Sequence, residues 1–203
     1  MTARLIEVVN PRASGLAALT KGATPKEALA FFDSLPPMPA AAMIGAWAGA
    51  GVLTGHPLDG LLEAIGWRGK RFESPEAVHP LVFGRPGATF SVNPALAPIA
   101  LANPGFARSM GRVAGPALGL LRTSEPKARL RMTEFRGVVT ATMIYDQLPI
   151  NDVFRKVDAD TVLGLMDQRG AEAPNYFFFT LTREPKASRL EAEEAYAGQA
   201  AAR

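Results

Sequence analysis

KARLRMTEFRGVVTATMIY, residues 127–145, is the stretch that decides the fold. Its first half alternates. Lys127, Arg129, Arg131 and Thr133 fall on one face, and Ala128, Leu130, Met132 and Glu134 on the other. A period of two is the signature of a strand with one wet and one covered face. Arg136-Gly137 supplies a tight turn. Val138 to Tyr145 then places Thr140 and Thr142 on one face and Val139, Ala141, Met143 and Tyr145 on the other. The stretch predicts an antiparallel hairpin, with Tyr145 on the covered side.

Outward from the hairpin the same pattern repeats. Gln147-Leu148-Pro149 turns the chain, and Ile150 to Val157, Thr161 to Asp167 and Asn175 to Thr182 follow as strands. Ala159-Asp160 and Arg169-Gly170 provide the turns between them. Upstream, residues 42–53 around Trp47, Trp67 to Glu73, Val78 to Phe83 and Ala88 to Val92 read as strands punctuated by Gly and Pro. Helices are expected from Thr24-Pro25-Lys26-Glu27, where Thr24 caps and Pro25 suits the first turn, and from Pro57 to Ile65. Residues 1–23 read as an irregular leader. About nine short strands without crossover helices indicate a closed antiparallel sheet. A barrel of about eight strands is just wide enough to be filled or to hold one small ligand. The expected fold is mainly β: an antiparallel lipocalin-like β-barrel with an N-terminal helix and a helical or irregular insertion. The expected organisation is a leader and helix over 1–40, one barrel domain over 41–183 and a flexible tail over 184–203. Within the barrel domain, 94–121 is the insertion, 41–93 precedes it, and the C-terminal strands occupy 127–183.

Composition removes several classes of function. The 203 residues include no cysteine, which excludes disulfides, thiolate nucleophiles and Cys-ligated metal sites. Net charge is only +3 and the basic residues are dispersed, unlike the concentrated basic face of a nucleic-acid binder. The start, MTARLIE, has no basic region followed by an apolar one, so a cytoplasmic location is expected. The apolar stretch Leu96–Leu121 is broken by Pro98, Pro104 and Pro116 and carries Arg108 and Arg112. It reads as a lid, a surface segment or a contact in a homodimer rather than a membrane span. No phosphate-binding glycine loop and no G-x-S-x-G nucleophile motif is present.

Gly45-Ala46-Trp47-Ala48-Gly49 is a G-x-W-x-G motif. It resembles the opening of calycin barrels, among them lipocalins and nitrobindin-like proteins. Trp67-Arg68-Gly69-Lys70-Arg71-Phe72 and Val78-His79-Pro80-Leu81 resemble the rest of the bacterial GXWXG protein family. The block from Met143 to Asp158, with Val162 to Asp167 and Tyr176 to Phe179, resembles the domain of unknown function usually paired with it. The resemblance spans roughly residues 25–183 and implies a barrel with an interior site. It does not imply an activity.

The densest polar cluster on apolar strands is Tyr145, Asp146, Asp152, Arg155 and Lys156. Tyr145 on the covered face can hydrogen-bond a ligand or act as an acid. Asp152 can hold Tyr145, an arginine or a ligand hydroxyl; alternatively it pairs with Arg155 or Lys156 as structural glue. His79 is the better placed of the two histidines. Tyr145, Asp152 and His79 are therefore the candidate proton-transfer residues. Trp47, Trp67, Lys70, Arg131, Met143, Tyr145, Phe154 and Phe177 are the candidate ligand contacts. Arg131 serves only if its face points inward; outward, it is solvated. No metal site is expected. A small, largely apolar ligand such as a lipid, terpenoid or aromatic metabolite is the expected partner. A cofactor-independent lyase, isomerase or hydratase acting on such a molecule is the alternative. A haem-binding barrel is the third reading, through Tyr145 or His79, although nitrobindin-like proteins place their proximal histidine late in the chain and none follows His79 here.

Overall fold

The computed structural model describes residues 10–85, 88–96 and 119–185. Ten strands run through them: β1 (Gly45–Gly51), β2 (Trp67–Ser74), β3 (Ala77–Arg85), β4 (Ala88–Val92), β5 (Arg122–Thr123), β6 (Ala128–Phe135), β7 (Val138–Tyr145), β8 (Ile150–Lys156), β9 (Thr161–Gln168) and β10 (Phe177–Arg183). They are hydrogen-bonded in the order β2-β1-β10-β9-β8-β7-β6-β3, and β3 pairs back onto β2. Eight strands therefore close a ring, every pair antiparallel. The seam between β3 and β6 is thin, with Val78 opposite Ala128. The upper part of β3 pairs instead with β4, which carries β5.

The decisive hairpin forms as its alternation dictates. β6 and β7 pair from Ala128↔Tyr145 to Phe135↔Val138, and Arg136 and Gly137 turn at positive φ of 52° and 77°. Tight turns such as this one gather at the end of the barrel where β1 begins. The longer connections, 52–66, 146–149 and 169–176, gather at the other end.

Strands β8, β9 and β10 are apolar on both faces because both faces are covered. Phe154, Val162, Phe177, Phe179 and Leu181 join the interior core. Val153, Leu163, Leu165 and Phe178 face outward, under α1 (Pro11–Leu19) and α2 (Pro25–Ser34). α2 starts as its sequence dictates. Thr24 and Glu27 form a reciprocal capping box, and Ala28, Leu29 and Phe32 are buried on the barrel. Burying Leu29 and Phe32 stabilises the pair by about 1.5–3 kcal/mol each. The segment after α2 wedges between β7 and β8: Pro37 bridges to Arg155, Ala141 donates to the Met38 carbonyl, and Met38 donates to Thr140. Thr140 and Thr142 face outward yet are buried beneath it.

Three expectations change. Residues 11–19 are helical rather than irregular, because Asn10 caps the helix and Pro11 opens it. The strand expected over 42–53 shortens to Gly45–Gly51, since Ala40–Met43 forms a 3-10 turn. The helix expected over 57–65 contracts to α3 (Leu61–Ala64), entered through Gly60 in the left-handed region. Most of the expected insertion and tail, residues 97–118 and 186–203, lies outside the described residues. Among the described residues no helix is long and apolar enough to cross a membrane.

Candidate functional site

The site is made possible by an irregularity in β2. Trp67 faces inward, and strict alternation would next place residues 69 and 71 inside. Instead the register to β3 slips on both sides of Gly69, whose φ is +147°. A bulge of this kind re-aims the side chains that follow it. Lys70 and Phe72 turn into the barrel, and Arg71 turns out to Glu73 at 3.0 Å. No side chain fits at 69, because a Cβ there would lie 1.9 Å from the Trp47 carbonyl oxygen.

Inside, Lys70 Nζ meets Asp152 Oδ2 at 2.7 Å, both side chains being only 2–3% exposed. Lys70 also donates to the Pro80 carbonyl at 3.2 Å. The Tyr145 hydroxyl donates to the same Asp152 Oδ2 at 3.5 Å. Aromatic rings surround the ammonium: Phe179 at 4.9 Å, Trp67 at 5.6 Å and Tyr145 at 5.8 Å from their centroids. Ring faces are negative, so they partly replace the water that Lys70 has lost. Burial raises the Asp152 carboxyl above the ordinary carboxylate range, against the opposing pull of Lys70 and of the Tyr145 hydrogen bond. Burial, and then the Asp152 charge, push the Tyr145 hydroxyl well above its ordinary value. Tyr145 is therefore a proton-bearing donor at neutral pH.

A cavity opens beside this cluster, at the barrel end that carries the longer connections. Trp67, Leu81, Phe177 and Phe179 wall it, Leu58, Leu62, Pro94, Leu148, Ile150 and Met166 complete it, and its polar lining is Lys70, Asp152 and Tyr145. Its empty space, counted out to the mouth, is about 460 Å³. It is narrow, with room for about three water molecules. The motif glycine Gly49 makes room for the Trp67 wall: a Cβ there would lie 2.2 Å from the Trp67 ring.

The structure brings together five of the residues singled out from sequence: Tyr145, Asp152, Lys70, Trp67 and Phe177 line one cavity. The partner of Asp152 is neither Arg155 nor Lys156 but Lys70, from across the barrel. Arg155 faces outward over the Phe32 ring at 5.3 Å. Met143 and Phe154 face inward but are packed in the core behind the cavity. Trp47 lies toward the opposite end of the barrel. Arg131 faces outward, bonded to Glu76 at 2.7 Å, because an unpaired charge inside an apolar barrel would be costly. His79 faces away from the cavity, 3.5 Å from Glu73 and opposite Arg71. Burial and then Arg71 depress its pKa, so it is neutral near pH 7. Phe179 and Met166 were not singled out from sequence. Alternation from Phe177 would have placed Phe179 on the same face.

The residues present do not fit a haem. Neither histidine lines the cavity, the Tyr145 hydroxyl is turned to Asp152, and the space is too narrow. Among the described residues no three His, Asp or Glu side chains gather as a metal site.

Comparison with known proteins agrees with this architecture. Residues 30–87 match the model described as GXWXG protein, which contains β1, the bulge and Lys70. Residues 126–183 match the model described as domain of unknown function DUF4334, which contains Tyr145, Asp152 and Phe177. The two matched segments thus contribute opposite walls of one cavity. No curated protein matches the chain. A crystal structure of a protein from Thermomonospora curvata is similar, with 30% identity and a TM-score of 0.63 over 86% of this chain and 99% of that one. With both segments matched in order and joined in a single closed sheet, the chain belongs to the GXWXG protein family and carries its companion DUF4334 domain.

Proposed function

We propose that the protein binds a small, largely apolar molecule in the cavity at the open end of its barrel. One observation carries the reading: an aromatic and aliphatic cavity whose charged and hydroxyl lining, among the described residues, is the buried Lys70–Asp152–Tyr145 cluster. Small-molecule sites have this make-up, a mostly apolar wall with a few placed polar groups that fix orientation. A buried ion pair adds little net stability, because desolvation offsets the attraction. A role in orienting a ligand gives it a reason to be there. The test is calorimetric titration with dichloromethane, an apolar probe small enough for the space, with Leu148→Trp as the variant that fills the mouth. Saturable binding by the native chain, lost in a Leu148→Trp protein of unchanged Tm, supports the reading. Binding that survives Leu148→Trp, or no binding to the native chain, overturns it.

The second reading is an acid–base enzyme using Tyr145 and Asp152. Its support is that Asp152 holds its proton more firmly than an ordinary carboxyl, which moves its proton transfer toward neutral pH. His79 has no part in it, since it faces Glu73 outside the cavity. If a bound metabolite is turned over, Tyr145→Phe abolishes turnover while leaving its binding intact. Unchanged turnover would remove Tyr145 from the chemistry.

A further inference from the structure

The stretch 54–59, between β1 and α3, takes its shape from two side-chain acceptors. Asp59 Oδ2 accepts from the backbone N–H groups of Thr54 and Gly55 at 2.8 Å and of His56 at 3.0 Å. His56 Nδ1 accepts from the Leu58 N–H at 3.1 Å, and the Asp59 N–H closes the turn on the His56 carbonyl at 3.0 Å. Only a neutral imidazole accepts at Nδ1; once protonated, both ring nitrogens are donors. The Leu58 bond therefore places the His56 proton on Nε2.

The same imidazole is tied to two walls of the cavity. Leu58, whose N–H it holds, is buried and lines the cavity. The Phe177 ring, also in the lining, lies 5.6 Å from the His56 ring between centroids. His56 itself is half-buried, in a polar cleft that it shares with Gln168, Arg169, Asn175 and Tyr176. Water reaches it there. Among the described residues the ionisable groups around it are Asp59 on its own turn, and Arg169 and Tyr176 on the 169–176 connection. Burial lowers the His56 pKa, and the Asp59 carboxylate works against that shift. His56 is thus neutral near pH 7 and takes up its second proton in mild acid.

We propose that His56 is a pH-operated latch on the cavity wall. Neutral, it holds Leu58 in place. Protonated at Nδ1 by water, it releases the Leu58 N–H, the 54–59 turn loosens, and the cavity gives up its ligand. Acid lowers the fraction of chains with the wall intact, and apparent affinity falls by the same factor. This inference rests on the proposed binding function and adds its regulation.

The experiment is a titration of the full chain with dichloromethane at about pH 7.5 and about pH 5, on either side of the ordinary histidine value. The affinity of the native chain falls about threefold to tenfold on acidification, the worth of one hydrogen bond. His56→Asn removes the titration and keeps the acceptor, because an Asn side-chain oxygen accepts from the N–H two residues on. Its affinity does not depend on pH. In His79→Gln the native pH dependence remains. In a nitrogen-15 NMR titration without ligand, the Leu58 amide signal of the native chain moves with the same midpoint as the His56 ring nitrogens. Equal affinity of the native chain at both pH values overturns the latch and leaves the cavity reading standing. A pH dependence that persists in His56→Asn also overturns it, because another group then carries the titration. So does a Leu58 amide that stays in place while His56 titrates. If dichloromethane binds at neither pH, the cavity reading fails and the latch goes with it.

Discussion

The chain has two tryptophans, and they occupy opposite ends of the barrel in different chemical states. Trp47 is 1% exposed, and its Nε1 donates to the Met43 carbonyl at 2.7 Å while the Arg183 guanidinium stacks on its ring at 4.2 Å. Arg183 in turn is held by the Ile44 and Ala42 carbonyls and by Asp160. Trp47 is covered there and its hydrogen bond is made. Trp67 is 6% exposed, nearly as buried, yet its Nε1 has no partner among the described residues and its ring borders a cavity. The same residue type is thus packed and bonded toward one end and lines a cavity at the other. A satisfied buried indole holds structure together; an unsatisfied one beside empty space is open to a partner, whether water or ligand.

The largest effect that sharpens this contrast is at Trp47. Trp47→Ala lowers unfolding free energy by about 3–5 kcal/mol in a denaturant titration, as a filled core position emptied of its ring should. A loss below about 1 kcal/mol would mean that Trp47 is not packed in a filled core. At the other end, Lys70→Met alone costs about 3–5 kcal/mol, because Asp152 is left buried without its cation. Lys70→Met combined with Asp152→Leu recovers most of that loss, and a double variant as unstable as the single one would deny the pairing. Smaller still is Trp67→Phe. It removes an indole N–H that has no partner among the described residues, so stability changes by about 1 kcal/mol or less. A larger loss would make Trp67 as structural as Trp47.

The smallest effect lies outside the cavity. The His79 pKa is depressed in the fold, so below its ordinary value near 6.5 the unfolded chain binds more protons than the folded one. Stability contributed this way is present above that value and is lost as pH falls through the folded pKa. His79→Gln therefore flattens the fall in stability on acidification below about pH 6.5, while ligand affinity does not change. A change in affinity would return His79 to the site.

The elements most legible in the sequence were those fixed by local alternation. The 127–145 hairpin and the inward face of Tyr145 follow from period-two patterning, and strands β8–β10 from short apolar runs bounded by turn residues. Helix α1 was missed because its cap is a single Asn10-Pro11 step and its apolar face is weak. The site was half legible. Tyr145 and Asp152 stand out as polar groups on apolar strands, but the partner of Asp152 lies 82 positions earlier in the chain. It reaches the interior only through the Gly69 bulge, which shifts the alternation of β2 by one residue. Arg131 shows the converse. It has the chemistry of a ligand contact, but unbroken alternation along β6 holds it outside, against Glu76.

The most direct test of the account uses the two indoles as reporters of the two ends. In a nitrogen-15 NMR spectrum the Trp47 and Trp67 Nε1–H groups give separate signals, assigned by the loss of one in Trp67→Phe. On titration with dichloromethane, the Trp67 signal shifts saturably and the Trp47 signal stays in place. Movement of Trp47 with Trp67 fixed, or no movement of either at the highest probe concentration, would contradict a ligand site at the open end.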